Sequence, residues 1–172
     1  MVPGTKMGAR PQLRELAREV GQSICAYGNV VMMHSAAPLE REFCQRGLQA
    51  IHKYASVARG GLGLLIMVSV DEPPPSDATR QVIRESYNAM KEVIVGGVLV
   101  VEGEGFVAAA KRSIMTLINS GSSPPFPMRV ASTVIEGATK LSTMLGARLD
   151  PALSVEQIAA VAAEVKTGTS PR

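Results

Sequence analysis

The stretch LGLLIMVSVDEPPPSDATRQVI, residues 62–83, decides the fold. Residues 62–70 form an apolar run closed by the turn-forming Asp71-Glu72, the pattern of a strand buried on both faces. Pro73, Pro74 and Pro75 cannot continue that strand. Ser76 then stands where a helix N-cap belongs, and Asp77 is favourably placed at the positive end of the helix that follows. Ile83, Tyr87, Met90 and Ile94 recur as its buried stripe. A doubly buried strand running into an amphipathic helix is the first half of a βαβ unit.

The pattern continues on both sides. Downstream, GVLVVE (97–102) reads as the next buried strand, and residues 105–118 as a helix with Phe106, Ala110, Ile114, Leu117 and Ile118 inward. SGSSPPFP breaks that helix, MRVAST is a short last strand, and VIEGATKLSTML is a helix stopped at Gly146. Upstream, SICAYGNVVMMHS (23–35) holds two β-prone runs around Tyr27-Gly28-Asn29, a hairpin signal. The segment from Pro38 to Gly61 reads as a helix with Leu39, Phe43, Ala50, Tyr54 and Val57 on one face. PQLRELAREVG, residues 11–21, has the composition of a short lead-in helix, on which Arg10, Arg14 and Arg18 share a solvated face. Ser154 and Gln157 form a capping-box signature for a C-terminal helix striped by Val155, Ile158, Ala162 and Val165. Such a stripe needs a partner surface, either this domain or a second copy. Strands alternating with helices imply right-handed crossovers and a mostly parallel sheet with a hairpin at its edge. The expected division is an arm over 1–21, an α/β domain over 22–146, and a helix with a tail over 147–172.

Composition narrows the function. The chain has 172 residues, 46% hydrophobic, 19% charged and 3% aromatic, so its core is built from aliphatic side chains and Met. No apolar run approaches the roughly 18 residues of a membrane span, and the N-terminus has no apolar signal core. Cys25 and Cys44 have no metal-ligand spacing and point to a reduced, cytoplasmic setting. The net charge is +3, spread along the chain without stacking aromatics, so no nucleic-acid partner is expected.

One motif advertises chemistry. Gly103-Glu104-Gly105-Phe106-Val107-Ala108 fits the dinucleotide fingerprint, in the expected strand–turn–helix context. Glu102 and Glu104 would place carboxylates beside the phosphate, and the ribose-binding acid expected about 20 residues on is absent. The turn Glu102–Gly105 is therefore read as a corner at a strand end, with no cofactor. His34 and His52 lie in different elements, no metal set forms, and Asp71-Glu72 reads as an acidic turn. No nucleophile–base arrangement assembles, and no enzyme is expected.

Taken together, the hairpin, the stretch 62–83, and GGVLVVEGEG followed by PFPMRVASTVIEGATKLSTML resemble a STAS-like domain, the fold of bacterial anti-sigma-factor antagonists, over residues 22–146. The resemblance implies a regulatory protein-binding module. It also places Ser76 at or near the position that a partner kinase phosphorylates in such antagonists. Where the family has Asp before the serine and Ser-Gly after it, this chain has Pro75 and Asp77-Ala78. The expected docking patch runs from Pro73 to Arg80, with Ser76, Asp77, Thr79 and Arg80 as its binding residues. Two alternatives use the same elements. One is a small-molecule or nucleotide binder at the turns near Ser76 and Gly103, and the other a homo-oligomeric subunit joined by the C-terminal helix.

Overall fold

Gly28, at φ 57°, and Asn29 form the two-residue turn between β2 (Gln22–Tyr27) and β3 (Val30–Ser35), with Tyr27 opposite Val30. A Cβ at Gly28 would lie 2.8 Å from Leu153 Cδ1, so the turn requires glycine for space as well as for conformation. The computed structural model describes residues 11–58, 60–69, 71, 75–105, 108–113 and 124–168.

The expected lead-in helix over 11–21 is instead a strand, β1 (Arg14–Glu19), antiparallel to β2. Its residues favour a helix, but that preference is worth only tenths of a kcal/mol per residue. A strand lets Leu13 reach one core while Leu16 and Ala17 reach the other. A bulge between Glu15 and Ala17 sends the two arginines to different faces. Arg14 stands over the Tyr54 ring, whereas Arg18 pairs with Glu15 at 2.5 Å and lies near Gly168. Arg10 lies outside the described residues. Charged side chains along β1 suit an edge strand, because they discourage pairing with another chain.

Six strands lie side by side in sequence order. β1, β2 and β3 are antiparallel, and β3, β4 (Leu62–Val68), β5 (Ile94–Val101) and β6 (Met128–Ala131) are parallel. The fold is thus α/β with a mixed sheet. α1 (Arg41–Ala55) joins β3 to β4 and α2 (Asp77–Met90) joins β4 to β5. After β6 come α3 (Val134–Leu145), a single 3-10 turn (Gly146–Arg148) and α4 (Val155–Thr167).

Period-two alternation divides the sheet residues between two cores. Ile24, Val31, Leu62 and Leu64 pack with Phe43, Ile51 and Met90 beneath α1 and α2. Cys25, Val30, Met32, Leu65, Met67, Val98 and Val100 pack with Leu141, Ile158 and Val165 beneath α3 and α4. Gly137 brings α3 down on the sheet; a Cβ there would lie 2.6 Å from Val100 Cγ2. The C-terminal stripe finds its surface within this chain, with Ile158, Ala162 and Val165 all buried. Elements from the expected arm and from the expected C-terminal extension therefore share the cores of the central sheet.

Other boundaries moved for visible reasons. α1 begins at Arg41 rather than Pro38, because Gln22 Nε2 donates to Ala37 O at 3.1 Å and Pro38 O at 2.6 Å and holds that segment as a loop. Val57 lies beyond the end of α1 and is 70% exposed, so it is not part of the buried face. Ile94 opens β5 rather than closing the stripe of α2. Of the helix expected over 105–118, residues 105 and 108–113 are helical. Phe106, Ile114, Leu117 and Ile118 lie outside the described side chains. Among the described residues no helix is long and apolar enough to cross a membrane.

Candidate functional site

The expected binding residues gather where β4 gives way to α2. Ser76 is the N-cap: its Oγ accepts from Thr79 N at 3.2 Å and shares a 3.0 Å hydrogen bond with Thr79 Oγ1. Arg80 Nε donates to Pro75 O at 3.1 Å, and its guanidinium lies 3.5 Å from Asp77, whose side chain is 99% exposed. Ser76, Asp77, Thr79 and Arg80 therefore meet in one helical turn and bond chiefly to one another. Thr79 is half-buried and the other three are exposed. Pro73, the start of the expected patch, lies outside the described residues.

The second expected element follows β5. Gly103 and Gly105 have φ 128° and 79°, which turn the chain sharply. A Cβ at Gly105 would meet nothing within 4 Å, so the requirement there is conformational. Arg112 folds back from residues 108–113 and donates to Val101 O and Gly103 O, each at 3.1 Å. Glu102 forms an ion pair with Lys166 of α4. Glu104 is exposed. Arg112 thus engages carbonyl oxygens at this corner, whereas a phosphate cradle would use amides.

A cleft of about 60 Å³ lies beside the first turn, walled by Met33, Leu39, Phe43, Ile66, Val68 and Ile83. Of the eight expected site residues, only Thr79 lines it. Lys111 closes one side; it is 8% exposed, and its Nζ donates to Ser69 O at 2.5 Å. That bond ties the chain after β5 to the end of β4. Lys111 was not expected at the site, although one signal was present. It follows the fully buried Ala108 by three residues and so shares its inward face.

A further junction lies at β6. The chain leaves β5 toward the face of α1 and α2, because Lys111 sits beside Phe43 and Ile83, and leaves β6 toward the opposite face. Glu136 lies here. It accepts from Ser132 N at 2.7 Å and Ser132 Oγ at 2.6 Å, and pairs with Lys140 at 2.6 Å. Lys140 first, then the Ser132 hydroxyl and amide, hold the Glu136 carboxyl down at about 2. Lys140 also donates to Val130 O at 2.7 Å, and Thr133 caps α3. The sequence reading missed this group, although Thr133 and Glu136 have the spacing of a capping pair.

The remaining titratable residues do not converge. Burial, then Lys166, lowers the His34 imidazole below its usual range, while His52 Nε2 lies 2.9 Å from Ala89 O and ties α1 to α2. Cys25 and Cys44 are free and buried, and burial raises both thiols, which lowers their reactivity. Asp71 is exposed, and Glu72 lies outside the described residues. Among the described residues no three His, Cys, Asp or Glu side chains gather as metal ligands. No family model, no curated protein and no solved structure matches this chain.

Proposed function

We propose that the chain is a non-catalytic, STAS-like interaction module that docks another protein on the exposed first turn of α2. The observation that carries the reading is the place of Ser76: an exposed hydroxyl at the N-cap of the helix that follows β4. The element order supports it, since a hairpin is followed by alternating helices and strands and a closing helix. The apolar cleft next to Thr79 would let a partner side chain anchor beside that turn. Two free, buried cysteines fit a reduced cytoplasmic setting.

The test places a photo-cross-linking residue at Asp77, at Arg80 and, as a control, at Lys91 beyond the other end of α2, each in the full chain in its native host. The same adduct from Asp77 and Arg80, absent from Lys91, is expected. No adduct, or equal adducts from all three positions, would remove the docking assignment.

A second reading, a small-molecule binder at the same end of the sheet, draws on the cleft itself, where apolar walls meet the buried Lys111 ammonium. A ligand there would protect Thr79 and Ile83 rather than Asp77 and Arg80. The homo-oligomer reading rested on the stripe of α4, whose buried residues pack within this chain.

A further inference from the structure

At the opposite end of the sheet, where β3 and β4 begin, a groove of about 800 Å³ opens between β1, the end of α1 and the segment after α3. Its floor is rigid. Asn29, 3% exposed, donates through Nδ2 to Gly61 O at 3.2 Å and Arg148 O at 2.7 Å, and its Oδ1 accepts from Asp150 N at 2.9 Å. The Tyr54 hydroxyl donates to Gly28 O at 2.5 Å, which fixes the ring, and the Arg14 guanidinium stands 5.9 Å from the ring centroid.

Two arginines line this groove, Arg14 and Arg148, and both are exposed. Among the described residues neither has a carboxylate partner. The one acid in the lining, Asp150, accepts from Ala152 N at 2.9 Å through Oδ1 and so closes its own turn. Alongside lies an apolar wall of Val57, Ala58 and Pro151, and Val57 is among the few large hydrophobic side chains left exposed among the described residues. A cation over a fixed aromatic ring, with a second arginine in the same lining and uncovered apolar surface alongside, matches a ligand that is charged at one end and apolar at the other. The volume falls in the range of small-molecule sites, about 300–1,000 Å³.

We propose that this basal groove binds a small organic anion. Arg14 and Arg148 take its phosphate or carboxylate, and its carbon skeleton lies on Val57 and Pro151. Guanidinium forks match the oxygen spacing of both anions, and their charge in a concave wall raises the local anion concentration. The site is independent of the docking turn on α2, because it occupies the other end of the strands.

The test titrates the full chain with phenyl phosphate, benzoate, inorganic phosphate and benzyl alcohol, following backbone amide resonances. Saturable shifts centred on Gly28, Gly60 and Arg148 are expected with phenyl phosphate, at a Kd of about 1 mM or tighter. Inorganic phosphate, which has no carbon skeleton, should bind about tenfold more weakly, and benzyl alcohol should not saturate. Tighter binding of phenyl phosphate than of benzoate assigns the group as phosphate, and the reverse order assigns it as carboxylate. Arg148→Gln alters an exposed side chain and should weaken binding about tenfold with the spectrum otherwise unchanged. Val57→Ser should narrow the gap between phenyl phosphate and inorganic phosphate. Absence of saturation by both organic anions up to about 20 mM, or undiminished binding by Arg148→Gln, would overturn the proposal.

Discussion

At the base of the sheet, Asn29 joins the start of β3 to chain 32, 119 and 121 residues away through three hydrogen bonds. At the carboxyl end, Ser76, Asp77, Thr79 and Arg80 bond within a single turn, and Glu136 bonds to residues four positions to either side. The base is therefore a junction on which the tertiary structure depends. The carboxyl end is a set of locally closed turns, joined across the sheet by Lys111 and by the Glu102–Lys166 pair. Locally closed turns can change sequence, or engage a partner, without disturbing the cores. That difference makes the carboxyl end the better place for a docking surface and the base the better place for a rigid small-molecule groove.

Cutting the element that spans both ends should have the largest effect. Leu153, just before α4, packs at Gly28, whereas Lys166 in its last turn reaches Glu102. Removing residues 151–172 uncovers Tyr27, Val30 and Met32 and loses Leu153, Ile158 and Val165 from the same core. Each buried aliphatic side chain contributes about 1.5–3 kcal/mol. A loss of about 5 kcal/mol or more is expected, enough to leave much of a marginally stable domain unfolded. Circular dichroism melting checks this. A melt within a few degrees of the full chain would show that the sheet does not depend on α4.

Next comes the junction itself. Asn29→Ala leaves Gly61 O, Arg148 O and Asp150 N without their buried partner, and each unmet group costs about 1–3 kcal/mol less what water recovers. A loss of about 3 kcal/mol in urea unfolding is expected. Asn29→Asp should rescue little, because it keeps the acceptor for Asp150 N but loses the donor. A loss below about 1 kcal/mol would mean that the base is no more tightly joined than the carboxyl end.

The same difference separates what was legible in the sequence from what was not. Ser76, Thr133 and Ser154 all cap helices, and each can be read from a few neighbouring residues. β4 and β5 were legible too, because burial on both faces leaves an unbroken apolar run. Asn29 read only as a turn residue, since its partners lie far away in sequence. β1 was misread because RELARE has helical composition and only the waiting edge of β2 makes it a strand. Arg14 and Arg148 come together through that misread strand and a turn near the other end of the chain, so no spacing announces the basal groove. Lys111 was not singled out, because it belongs to no motif and its carbonyl partner, Ser69, lies 42 residues away.

A smaller effect is expected from pH at the carboxyl end. Glu136 is held at about 2 in the folded state, below its unfolded value, so its contribution is fully present above about pH 4.5 and fades as pH falls toward 2. The side chain is 38% exposed, and with solvent screening the contribution is about 1 kcal/mol. Glu136→Gln should therefore destabilise the chain near neutral pH and flatten its stability profile between about pH 4.5 and 2. Unfolding curves at pH 6 and pH 3 that shift in parallel for wild type and variant would place the acid sensitivity elsewhere.

The smallest stability effect belongs to Ser76, and it sharpens the comparison most. If this turn is closed locally, Ser76→Ala removes one cap bond to Thr79 N and should cost about 1 kcal/mol. Ser76→Asp should be close to neutral, because Asp caps as well as Ser and favours the helix dipole. Regulation by phosphate would make a different demand. A phosphoserine gains from the free amides of the first turn, but it stands beside Asp77, and the nearby Arg80 guanidinium already donates to Pro75 O and lies against Asp77. Arg80 would have to release Pro75 O to serve the phosphate, and the turn would open. Ser76→Asp at wild-type stability but with weakened capture of the cross-linked partner would join the cap and the docking surface in one residue. Equal capture by wild type and Ser76→Asp, with no phosphate on Ser76 in protein purified from its host, would leave Ser76 as a cap alone and move the search for a switch away from this turn.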